Sequence, residues 1–201
     1  MLPTLALKSL KHESTVIKQD ILRTYNTIDG NKYRKIIGCF RSPGVHAIVT
    51  FRFGKWLKGK NLLLRVLLEP VYFFQYHRIR SKWGIEIPRS VEIGEGFYIG
   101  HFGGITISGS AVFGKNVNIS QQITVGLSGL GENSGVPKIG DNVYIAPGAK
   151  IFGKIAVGNN VKIGANAVIY KDIPDNAIVV LNPGFEILSY KGNFPVSEKS
   201  P

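Results

Sequence analysis

IGDNVYIAPGAKIFGKIAVGNNVKIGANAVIY, residues 139–170, decides the fold, because aliphatic residues return in it at every sixth position: Ile139, Ile145, Ile151, Val157, Ile163 and Ile169. The same spacing runs upstream through Ile87, Ile93, Ile99, Ile105, Ala111, Val117 and Ile123. A helix repeats its apolar face every 3.6 residues and a strand every 2, so neither generates six. A coil with three flat faces does. Each hexapeptide supplies one short strand, and three of them complete a rung. The recurring aliphatic residue then points into a prism and stacks on its counterparts in neighbouring rungs. Small residues often follow it, as in Ile93-Gly94, Ile99-Gly100, Ile139-Gly140 and Ile163-Gly164, where the chain turns a corner. The expected fold is mainly β, a left-handed parallel β-helix of hexapeptide repeats over residues 85–180.

The register breaks once. Sixteen residues separate Ile123 from Ile139 where six are expected, an excess of ten. The segment 126–136, rich in glycine and serine, is expected to leave the prism as an excursion loop, and long loops in a solenoid commonly carry function. Ahead of the coil the period disappears, and residues 1–84 read as a helical domain. One helix is expected from a cap at Ser14 or Thr15 to about Tyr25, a second over Gly44 to Lys58, and a third over Asn61 to Lys82, kinked at Pro70. Asp29-Gly30 and Ser42-Pro43-Gly44 punctuate them. Residues 181–201 read as a tail.

Charge is unevenly placed. Residues 1–90 hold 17 Lys/Arg against 5 Asp/Glu, and residues 91–201 hold 8 of each, so the net +12 lies wholly in the first half. Such asymmetry suits an anionic partner, a membrane surface or acidic polymer, as well as a plain solvated basic face. Leu62 to Tyr76 is interrupted by Arg65, Glu69 and Pro70, too short a run to span a bilayer. The single cysteine, Cys39, excludes an internal disulfide and any cysteine cluster, which fits a reducing cytoplasm. No secretory signal is legible at the start.

Of the four histidines only His101 falls in the coil, in Gly100-His101-Phe102-Gly103-Gly104. Two positions past Ile99, it is expected to project outward near a corner. Glu86 lies 15 residues earlier, close to one rung, which is expected to bring its carboxylate beside the imidazole. That pairing fixes the tautomer and stabilises the imidazolium formed when the ring takes a proton from an alcohol. Backbone N–H groups around Gly103 are candidates for stabilising an oxyanion. A solitary coil histidine argues against a zinc site built from converging histidines, and no metal is expected. His46 reads as a structural histidine on an apolar helix, and Trp56 and Tyr72-Phe73-Phe74 read as packing or lipid-headgroup contact.

The run Ile87 to Ile173, with His101 in Gly-His-Phe-Gly-Gly-Ile and the loop before Pro137-Lys138-Ile139-Gly140, resembles the serine acetyltransferase group of hexapeptide-repeat acyltransferases. Upstream, Ile17-Lys18-Gln19-Asp20-Ile21, Asp29 and Gly44-Val45-His46-Ala47-Ile48 with Arg52 are similar to the helical domain of that group. The resemblance implies acetyl-CoA as co-substrate, a homotrimer or a dimer of such trimers, and an active site between neighbouring coils. It places His101 at the catalytic histidine, with Glu86 where the family has an aspartate partner. Gly126, Ser128, Ala146, Pro147, Lys162 and Ala165 fall along the CoA groove, and Asp29 matches an acceptor-binding aspartate.

Two departures bear on the acceptor. The family carries an aspartate directly before the histidine, where this chain has Gly100. It also carries an arginine and a second histidine before Pro-Lys-Ile, where this chain has Gly135 and Val136. Those groups hold an amino acid's charged ends. Their absence implies a neutral hydroxyl acceptor, a sugar or glycan intermediate, as in the branch found with surface-polysaccharide synthesis. L-Serine is the alternative acceptor, and an inactive trimeric binding scaffold is the third reading. The expected setting is cytoplasmic, or peripheral at the inner membrane face, with no nucleic-acid partner.

Overall fold

The computed structural model describes the backbone of residues 2–130 and 134–182, and side chains from Ser14 onward. Four helices come first: α1 (Leu2–Thr27), α2 (Lys32–Arg41), α3 (Pro43–Lys58) and α4 (Leu62–Trp83). Short strands follow: β1 (Ile85–Glu86), β2 (Glu92–Ile93), β3 (Tyr98–Ile99), β4 (Ile105–Ile107), β5 (Val112–Phe113), β6 (Asn118–Ile119) and β7 (Thr124–Gly126). After the excursion come β8 (Lys138–Ile139), β9 (Tyr144–Ile145), β10 (Lys150–Phe152), β11 (Ala156–Val157), β12 (Lys162–Ile163), β13 (Val168–Ile169) and β14 (Ile178–Val179). They form three parallel sheets in the orders β1-β4-β7-β10-β13, β2-β5-β8-β11 and β3-β6-β9-β12-β14. Up to β13 every third strand shares a face, which is the left-handed three-sided coil expected from a period of six.

All thirteen repeat positions are buried. Their register, however, differs from a single series. Each hexapeptide sends two side chains inward, two residues apart, so each face carries two columns. On the first face these are Ile85, Ile105, Ile123, Ala149, Ala167 and Ile87, Ile107, Val125, Ile151, Ile169. Past the excursion, partners are 18 residues apart, as in Ile145↔Ile163, until the last turn, where Ile163 pairs with Val179, 16 apart. Below it Ile99 pairs with Ile119 and Ile93 with Phe113, 20 apart. Across it Ile119 pairs with Ile145, 26 apart. The ten excess residues are therefore split, two at the corner holding His101 and eight in the excursion. A two-residue insertion exchanges one inward column for the other, so the sequence pattern runs on as though nothing had happened.

The helices cap the open end of the coil. In the lowest rung the backbone carbonyls of the second face point away from the next rung and need other donors. Lys55 Nζ donates to Val91 O at 2.7 Å, Arg52 to Ile93 O at 2.7 Å and Gly94 O at 2.5 Å, and Arg23 to Gly96 O at 3.1 Å. Arg52 Nε also meets the buried Asp20 carboxylate at 2.8 Å, which accepts from the Phe97 amide at 2.8 Å. Burial pushes the Asp20 carboxyl above its ordinary range despite the neighbouring guanidinium. Gly54 lets Tyr72 cross α3, because a Cβ there would meet the ring at 2.2 Å.

Two helical expectations need correction. Ser14 and Thr15 do not start α1, which runs from Leu2, since no breaker lies between Pro3 in its first turn and Thr27. α2 was not expected. Its apolar side chains Tyr33, Ile36, Ile37 and Phe40 stay exposed, so it shows no inward stripe, and its start is marked only by Asn31, which accepts from the Arg34 amide at 3.0 Å. The helix expected over Asn61 to Lys82 is present as α4, with Pro70 inside it. Most of the tail, from Pro183 on, lies outside the described residues.

Candidate active site

The three edges of the prism differ in chemistry. The edge between the second and third faces carries Asn116, Asn142, Asn160 and Asn176, all with left-handed backbone at φ 57 to 62. Asparagine tolerates that conformation, and its amide bonds to the rung above, as in Asn160 Nδ2 to Asn176 Oδ1 at 2.7 Å. Beside it, Asp141, Asn159 and Asp175 each accept the amide of the equivalent residue below, at 2.6 to 2.8 Å. This edge is built as a ladder of side-chain bonds from rung to rung.

The edge between the third and first faces holds His101. Its corners stack as Gly100–Gly104, Ser120–Gln122, Ala146–Gly148 and Gly164–Asn166, tied by Gly100 N to Ile119 O at 3.0 Å, Gln122 N to Gly103 O at 2.7 Å, Gly148 N to Gln121 O at 3.0 Å and Asn166 N to Pro147 O at 2.9 Å. The two extra residues fall in the lowest of these corners. Gly103 (φ 103) and Gly104 (φ 65) adopt conformations that side chains rarely take, and a Cβ on Gly103 would have nothing within 4 Å. His101 and Phe102 are exposed there.

The fold thus places His101 on one line with three of the six residues expected along a CoA groove, Ala146, Pro147 and Ala165. Their side chains are small, and Gln121 and Gln122 occupy the corner between them and His101. Lys162 sits on the third face just before that edge, its ammonium 5.8 Å from the centre of the Tyr144 ring. Gly126 and Ser128 lie at the far margin of the first face, where the excursion leaves. Its base is closed by a two-way pairing of Ser128 with Gly135, at 3.1 and 3.0 Å. These positions suit an elongated ligand with amide and phosphate groups: small side chains, backbone polar groups and one nearby cation.

Other expectations are not met within one chain. Glu86 is not beside His101. The longer rung sets it opposite Thr106, and its carboxylate pairs with Arg80 at 3.3 Å. Asp29 is exposed in the turn between α1 and α2, and neither Asp29 nor His101 has a hydrogen bond or ion pair among the described residues. Gly100 backs against Tyr98, and Gly135 against Lys154, whose Cβ would lie 2.6 Å from a Cβ on Gly135. Val136 is half-buried. No charged side chain stands at these three positions.

Two features escaped the sequence reading. An open hollow of about 410 Å³ adjoins the His101 corner, lined by His77, Arg80 and Ser81 of α4 with Gly84, Glu86 and Gly104–Thr106. On the His101 edge itself, the Gln121 side-chain oxygen is buried with no hydrogen-bond partner among the described residues. The signal for Gln121 was the pair Gln121-Gln122 at a corner that other rungs fill with smaller residues. His46 behaves as expected: its Nε2 is 2.7 Å from Phe40 O and its ring stacks on Trp83.

Residues 137–171 match the family model described as bacterial transferase hexapeptide (six repeats). The chain is 38% identical over 152 residues to a serine acetyltransferase of Mycobacterium tuberculosis, a span of 75% of this chain and 62% of that protein. It is 34% identical over 140 residues to a serine acetyltransferase of Helicobacter pylori, 69% of this chain and 77% of the relative. The chain belongs to the serine acetyltransferase family. A solved serine acetyltransferase in complex with CoA superposes with a TM-score of 0.69 at 25% identity, covering 90% of this chain and 72% of that one. Against the M. tuberculosis relative this family member spans only about three fifths of the length.

Proposed function

We propose that the protein transfers the acetyl group of acetyl-CoA to an acceptor hydroxyl, with His101 as general base. The observation that carries this reading is the alignment of His101, at its glycine-opened corner, with the Ala146–Pro147 and Ala165 corners on one edge. The relative solved with CoA supports the thioester donor. The acceptor oxygen attacks the acetyl carbonyl while His101 takes its proton. The tetrahedral intermediate then expels CoA thiolate, which recovers that proton from the imidazolium. No acyl-enzyme is required. Cys39 is buried in α2, and burial pushes its thiol up, away from the thiolate form.

L-Serine is the acceptor the relatives support, and we place it ahead of the sugar that the missing charges suggest. The sugar stays as a second reading on one observation: Gly100, Gly135 and Val136 offer no charge to a zwitterion. In the working assembly, a trimer of coils, the edge of one chain meets the face of the next, and Asp29 and Glu86 join the site there. The test is CoA-thiol release with L-serine and with a panel of sugars and nucleotide sugars, for the parent chain and His101→Ala. Serine-dependent, His101-dependent release supports the first reading. Release with a sugar alone transfers the protein to glycan modification. No release with any acceptor would sink both and leave a binding scaffold.

A further inference from the structure

We propose that the outer face of α4 docks on an anionic lipid bilayer. Leu63, Val66, Leu67, Phe73 and Phe74 recur at helical spacing on the side of α4 opposite the buried Tyr72 and Ile79, and all five are more than half exposed. Leu63 reaches 81% and Phe74 71% exposure. Exposure on that scale over three turns is far more than scattered surface hydrophobics produce.

Charge selects the occupant. Residues 32–83, from α2 through α4, hold twelve Lys/Arg, ten of them besides Arg52 and Lys55, which are turned onto the coil. They hold one carboxylate, Glu69, which pairs with Arg89 at 2.9 Å and lies 3.8 Å from Arg65. Lys58 and Lys60 stand before the apolar stripe, and Arg78 and Lys82 follow it. A second copy of the chain would bring two strongly cationic surfaces together and be repelled. A bilayer bearing anionic headgroups takes the aromatic and aliphatic side chains into its interface and neutralises the flanking cations. α2 repeats the pattern, with Tyr33, Ile37 and Phe40 exposed among Lys32, Arg34 and Arg41. Among the described residues no helix is long and apolar enough to cross a membrane, so the contact lies in the plane of the interface.

The experiment is co-sedimentation of the full chain with phosphatidylcholine vesicles, with and without phosphatidylglycerol. The double variant Phe73→Ser/Phe74→Ser is run alongside, with light scattering on both proteins. The expected result is pelleting with the anionic vesicles only, weakened by salt and reduced about tenfold or more in the variant, which keeps the parent's mass. Absence of pelleting with anionic vesicles overturns the proposal, as does undiminished pelleting of the variant. A variant that falls to a smaller oligomer assigns the face to a neighbouring copy instead. Vesicle binding needs no acetyl transfer, so this result and the acceptor assay stand or fall separately.

Discussion

The lower and upper halves of the coil are held by different means. Above the excursion the rungs have 18 residues, shortening to 16 in the last turn, and one edge is locked by asparagine and aspartate side chains bonding rung to rung. Below it the rungs are longer, and the open carbonyls of the first are capped by Arg23, Arg52 and Lys55 from the helices. The self-sustaining half supplies a straight track. The half that depends on the helices carries the histidine. Irregularity and chemistry coincide because only a corner released from the repeat can hold an imidazole clear of the stack.

Substitutions can break this contrast at either end. The largest expected effect is at His101→Ala, where kcat/KM falls by roughly 10²–10⁴ while the thermal midpoint stays unchanged. Turnover and a melting curve on the same preparation check it, and a matching loss of stability would return the corner to the scaffold.

Next is Arg52→Ala, which strands the buried Asp20 carboxylate and frees two carbonyls, costing about 3–5 kcal/mol in urea unfolding. Asp20 already titrates above its unfolded value, so its contribution favours the folded state at low pH and is lost as pH rises through the raised pKa. The variant's deficit is therefore expected to be smallest in acid and largest at neutral pH.

In the upper half, Asn160→Ala places an ordinary side chain at φ 57 and removes the bond to Asn176, for about 1–2 kcal/mol. Asn160→Gly recovers part of that loss if backbone conformation dominates, and none if the ladder bond does.

The smallest effect is at Tyr76, whose hydroxyl is pushed up to about 12 by burial and by the nearby Glu86 carboxylate. Its share of stability is complete below about pH 10 and disappears as pH approaches 12. Tyr76→Phe is expected to flatten the alkaline limb of a stability–pH curve by a few tenths of a pH unit at its midpoint.

The period of six made the coil legible from aliphatic residues alone, and His101 stood out as the one histidine inside it. The split of the excess residues was not legible. Ile105, Ala111, Val117 and Ile123 keep the count of six while belonging to the other inward column, so hydrophobicity cannot report the slip. Glu86 was misplaced for the same reason: counting 15 residues assumes a rung of 18, and this rung has 20. α2 was missed because it is only ten residues long and lies between two turn signals, Asp29-Gly30 and Ser42-Pro43-Gly44, with Asn31 as its one start signal.

The two-residue insertion behaves like a defect in a one-dimensional lattice. Because it sits on an edge, order resumes within one layer, and the stack above is indifferent to how many residues the corner contains. Lengthening or recasting that corner costs little more than the closure entropy of a slightly larger loop. The fold can therefore be refitted for a new acceptor at its rim without renegotiating its interior, which gives such a chain room to diverge in substrate while its architecture stands still.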